Sequence, residues 1–210
     1  MTTIGALLST LEDPFSIFPL EEVSRELEEL IDDKDNRIAE RAGWWGVSPK
    51  YRSVEDEHDL EVVRLFIGST FVLGQTVITQ TVSIATKLRN LAGDPSWLPS
   101  GKAHIMATEA IIHPATGLSK IALFDAVANY FKHHYEWPSN WSGAAEAQQR
   151  TINMLLKLGF VPESEENLHV ALRNLGLSIN KMSLMGSEIQ EWRERLATSF
   201  RKQLYDHGFS

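Results

Sequence analysis

The chain has 210 residues, with 28 acidic and 20 basic side chains, a formal net charge of −8, and no cysteine. That length is ample for a sizeable core, and 43% hydrophobic with 23% charged residues excludes global disorder. The missing cysteine excludes disulfide frameworks, thiolate metal sites and cysteine nucleophiles, and the acidic balance argues against a broad basic nucleic-acid surface while leaving room for a local basic pocket.

Met1–Leu11 is mildly apolar with no basic residue ahead of it, so it does not read as a secretory signal, and a cytoplasmic location is expected. Pro14 and Pro19 bracket a short apolar linker, Phe15-Ser16-Ile17-Phe18. A first long helix is predicted after it, with Leu20, Val23, Leu27, Leu30 and Ile31 on one face at spacings of three and four. Its other face is acidic (Glu21, Glu22, Glu26, Glu28, Glu29, Asp32, Asp33), and these carboxylates are spread around the surface rather than converging on a cation. Gly43-Trp44-Trp45-Gly46 and Ser48-Pro49 break the pattern. The paired tryptophans suit either a ligand-stacking surface or the cap of a helical core.

Ser53 opens a second predicted helix, running to about Ala92, with Glu55, Asp56 and Glu57 in its first turn where negative charge suits the helix dipole. Within it, Leu65–Thr86 carries no charge and is long enough to cross a bilayer. Gly68, Ser69, Gly74, Gln75, Thr79, Gln80 and Ser83 give it a polar load that fits the centre of a bundle better than lipid. Val77, Ile78, Thr81, Val82 and Ile84 are β-branched and offer a competing strand. The apolar set Val63, Phe66, Ile67, Leu73, Val77, Ile84 and Leu88 keeps helical spacing over far more than a strand length, and Gly68 and Gly74 allow a neighbour to come close.

Gly93-Asp94-Pro95 and Leu98-Pro99-Ser100-Gly101 make a turn-rich connection. Ser100-Gly101-Lys102 resembles the end of a phosphate-binding loop only superficially, because Ser96 and Ala103 stand where Gly and Ser or Thr are required. Further helices are predicted at Lys102–Ile112, Gly117–Glu136, Ala144–Leu158, Glu166–Leu175 and Lys181–His207. The fold expected is all-α: a helical bundle with two long central antiparallel helices, Leu65–Thr86 lying against Leu118–Glu136. It is read as one domain over 1–210, with 1–18 and 181–207 as candidate appendages.

The chemistry concentrates in Asp125–Trp137. On a helix, Phe124, Val127, Ala128, Phe131 and Tyr135 share a face directed at the core, while Asp125, Asn129, Lys132, His133 and Glu136 form a polar row at steps of three and four. Such a row either orients a His for proton transfer near neutral pH or forms an exposed face laced with i,i+4 contacts. Ala128-Asn129-Tyr130-Phe131-Lys132-His133 resembles the motif of the HEPN families, in which an Arg is followed by Asn or another polar residue and, four to six residues on, by His. Asn129 and His133 take the polar and His positions, and Ala128 takes that of Arg. The resemblance spans residues 54–137 and implies a helical, homodimeric protein related to metal-independent endoribonucleases of defence and toxin systems.

On that implication His133 is the acid/base, Asn129 positions substrate and Lys132 stabilises phosphate charge, with Asp125, Glu136 and His134 as further substrate contacts and no cofactor. Alanine at 128 supplies no charge, and Lys132 offers a point charge rather than a bidentate fork. The alternative is a non-catalytic module that binds a partner protein, RNA or nucleotide, with no membrane role. Literal Arg-to-His spacings also occur at Arg52–His58 and Arg201–His207, where an acidic turn and ordinary packing residues intervene. No metal site is expected, since His133 and His134 point about 100° apart on a helix and no His-Glu-x-x-His motif is present. His104 and His113 read as surface or core residues, and Trp97, Trp137 and Trp141 as aromatic caps after helix ends.

Overall fold

The computed structural model describes residues 3–45 and 54–209. Among these the fold is all-α, with eight α-helices and a single isolated bridge, Ile112 with Ser119, in place of any strand. The helices are α1 (Ile4–Glu12), α2 (Phe18–Trp45), α3 (Val54–Leu91), α4 (Gly101–Ala107), α5 (Lys120–His133), α6 (Glu146–Lys157), α7 (Asn167–Asn174) and α8 (Leu184–Asp206). The β-branched run at Val77–Ile84 is helical, so the long apolar period outweighs local strand preference. Gly46, Ser48-Pro49, Arg52 and Ser53, on which the first break and one Arg-to-His spacing depend, lie outside the described residues, as do the side chains of Trp44 and Trp45.

Local signals set most boundaries. Thr3 caps α1 through its Oγ1, which accepts from the Ala6 amide at 3.2 Å. Asp13 caps the 3₁₀ turn Pro14–Ser16 in the same way, accepting from the Phe15 amide at 3.0 Å. Ser119 starts α5 with an Oγ that accepts from the Ala122 amide and donates to the Met106 carbonyl at 2.6 Å. The α6 helix stops where Gly159 turns to φ +94°, which lets the Phe160 amide reach back to the Leu155 carbonyl at 3.0 Å.

The α3 helix lies at the centre, touching α1, α2, α4, α5, α7 and α8. It has 38 residues, whereas α5, its most extensive neighbour, has only 14, so the expected pair of long central helices is one long helix with shorter companions. Contacts run in opposite senses along the two: Gly68 meets Phe131, and Gln75 meets Asp125. The core continues into both ends of the chain, with Leu7, Leu8 and Leu11 of α1 and Trp192, Leu196 and Phe200 of α8 all buried in it.

Among the described helices only α3 is long and apolar enough to span a membrane by length and composition, and half of its most apolar window is buried within the protein. Within the uncharged stretch its exposed positions are Leu65, Thr76, Thr79, Gln80, Ser83 and Thr86, so apart from Leu65 the outward face is polar rather than greasy.

Candidate functional site

The polar row of α5 divides into three environments. Asp125 is buried at the junction of α3, α4 and α5 and ion-pairs with Lys102 at 2.7 Å. Gln75 of α3 faces it: the Gln75 amide donates to the Asp125 carboxylate at 2.8 Å and to Asn129 Oδ1 at 2.9 Å. Asn129 donates in turn to the second Asp125 oxygen at 3.3 Å, and the Lys132 ammonium donates to Gln75 Oε1. Asp125, Asn129, Lys132, Gln75 and Lys102 thus form one satisfied network that fastens three helices together.

His133 and Glu136 stand apart from it. His133 Nδ1 lies 3.3 Å from Glu136 Oε1, with the two side chains 46% and 48% exposed. The α5 helix ends at His133 and continues as a tighter 3₁₀ turn, His134–Glu136, which breaks the i,i+4 register. Tyr135, expected in the core with Phe124, is therefore 73% exposed, and Phe131 is only half-buried. Ala128, at the position of the motif's Arg, is fully buried.

His134 joins a third environment, a cleft of about 490 Å³ beside α3 and the loop after α6. Its Nδ1 sits 3.0 Å from the Tyr130 carbonyl, and its ring stacks on Tyr130 at 4.8 Å. Tyr130 is the hub of an aromatic cluster with Trp137, Trp141 and Phe160, so both tryptophans after α5 are packing residues. Burial raises the Tyr130 phenol above its ordinary value, opposed by a hydrogen bond from Asn167 and by the nearby Arg64 charge. Arg64 also lines this cleft. Its guanidinium is occupied by Glu165 at 2.6 Å and by Glu61, and those carboxylates outweigh burial to raise its pKa. With Glu163 beside them the lining is acidic, which repels phosphate.

A second cleft, of about 570 Å³, opens between α4, α5 and α6. Asp125 and Lys102 form one side, and Arg150 and Lys157 of α6 form the other. The two α6 cations are exposed and take no hydrogen bond or ion pair among the described residues. Sequence reading missed them, although their spacing of seven on an amphipathic helix places both on one face with Met154. Gln75 and Arg64 were missed for another reason: Gln75 meets Asp125 across 50 residues, and Arg64 meets Glu165 across 101.

Of the remaining candidates, His113 is a core residue held between Thr116 and the Asn174 carbonyl, and His104 is at the surface. Arg201 forms a two-pronged ion pair with Glu12 while His207 stacks on Trp97, so that Arg–His spacing makes no common site. Among the described residues no three His, Asp or Glu side chains are placed to hold a metal ion. No family model matches the chain, and no curated protein or solved structure matches it.

Proposed function

We propose that this protein is a non-catalytic helical module of HEPN-like ancestry that works by binding a ligand or partner. The observation that carries this reading is the use of the α5 polar groups inside the fold. Asn129 and Lys132 are engaged by Gln75, and Asp125 by Lys102 and Gln75, which leaves His133 with Glu136 alone. The burial of Ala128 adds to it, because an Arg at that position would have to enter the core before it could meet a phosphate.

One observation favours the ribonuclease. His133 and Glu136 are an exposed imidazole–carboxylate pair at 3.3 Å, the side-chain types that acid–base catalysis uses. The two readings separate in a cleavage assay with a varied RNA pool, in EDTA, comparing wild type with His133→Ala and Lys132→Ala. The expected result is no cleavage by any of the three. Cleavage by wild type that disappears in His133→Ala, with the fold intact by circular dichroism, would establish the enzyme instead.

A further inference from the structure

We infer that the cleft between α4, α5 and α6 binds a single-chain apolar anion of the fatty-carboxylate class, its headgroup at Arg150 and Lys157 and its tail along the cleft floor. The inference gives the non-catalytic reading a ligand and a place.

Charge decides the sign of the ligand. Three cations, Lys102, Arg150 and Lys157, face one carboxylate, Asp125, which is already held by Lys102 and Gln75. In a chain of net charge −8, two cations on one face of α6, nearly two helical turns apart and without an ion pair among the described residues, attract an anion to that side of the cleft.

The floor decides the rest. Met106, Ile112, Leu118, Ala122 and Met154 line the cleft, and Ile112 is 54% exposed there. Met106 on α4 and Met154 on α6 adapt to a flexible chain, and Ala122 on α5 adds little bulk to the lining. A volume of about 570 Å³ suits a small ligand rather than a protein segment. Inorganic phosphate would leave the apolar floor wet, and RNA would need cations along an extended track rather than at one cleft.

Isothermal titration of the full chain with dodecanoate below its micellar concentration tests the idea, with dodecanol and dodecylamine as uncharged and cationic counterparts. Saturable binding near one dodecanoate per chain is expected, weaker by about ten-fold in dodecanol and in the Arg150→Glu/Lys157→Glu double variant. Ala122→Phe, which fills the floor, should weaken dodecanoate in parallel, with circular dichroism reporting that each variant is folded. Equal affinity for dodecanol, or an unchanged affinity after charge reversal, would remove the headgroup assignment and overturn the proposal. So would unchanged binding in Ala122→Phe, or displacement of dodecanoate by an acidic peptide that binds more tightly. A failed titration leaves the cleavage result standing, and cleavage by wild type would leave the titration valid, so the two readings fail separately.

Discussion

Replacing Gln75 with Leu would strip Asn129 Oδ1 and the Lys132 ammonium of their α3 partner in the contact between α3 and α5, and would remove two hydrogen bonds to Asp125, one at its carboxylate and one at its backbone carbonyl. Partners left unsatisfied in a contact of this kind cost about 1–3 kcal/mol, so Gln75→Leu should lower the urea midpoint accordingly while leaving the fluorescence of the tryptophans in the folded state unchanged. An unchanged midpoint would mean that water replaces the network at no cost. A second residue-scale expectation concerns acid. Asp59 is buried on α3 between Lys34 at 2.7 Å and Arg41 at 2.6 Å, and the hydrogen bonds from these two cations bring its carboxyl down from 3.8 to about 2. A carboxyl with a depressed folded-state pKa contributes stability that is present above the unfolded value and lost as pH falls through the folded one. Wild type should therefore lose stability between about pH 4 and pH 2 through this residue. In Asp59→Asn the corresponding loss should be absent and stability at neutral pH lower, as read by thermal melts across that range.

Close approach of α3 and α5 depends on Gly68, where a Cβ would collide with the Phe131 ring. Gly68→Ala must push that ring outward and should destabilise by about 1–3 kcal/mol, and Phe131→Leu in the same chain should restore part of the loss in a double-mutant cycle. Additive effects would show that the two residues do not meet. The spacing of apolar residues in α3, and Gly68 as a point of approach, were legible in the sequence because helical periodicity is local. The end of α5 was not. Lys132, His133 and Glu136 look like one stripe if the helix continues, and nothing in the residues themselves announces the 3₁₀ turn at His134 that turns Tyr135 out of the core face and leaves Glu136 with His133 alone. The division of the polar row was hidden for a similar reason, since Gln75 and Lys102 lie 50 and 23 residues from Asp125 and no periodicity links them. The α1 helix also escaped notice, its nine residues being too few to establish a repeat without the surface that covers them.

At the scale of the whole molecule, homodimerisation remains a proposal drawn from the HEPN resemblance, and sedimentation equilibrium over a wide concentration range tests it, a concentration-independent monomer mass counting against it. The uncharged stretch of α3 gives it little support, because apart from Leu65 its exposed side chains are the polar Thr76, Thr79, Gln80, Ser83 and Thr86. The two ends of the described chain are joined more directly. Arg193 of α8 is buried without a direct ion pair among the described residues, and its guanidinium donates to the carbonyls of Thr10 at 2.8 Å and Asp13 at 3.3 Å, at the C-terminal end of α1. Arg193→Met should release α1 before global unfolding, seen as early proteolytic cutting within residues 4–12 while the remaining helices stay protected. The same clamp sets an order of events during synthesis. Thr10 and Arg193 are 183 residues apart, so at ribosomal rates α1 waits roughly ten to forty seconds for the helix that holds its end. Through that interval Leu7, Leu8 and Leu11 lack their α8 neighbours, which makes α1, though translated long before α8, among the last elements to settle.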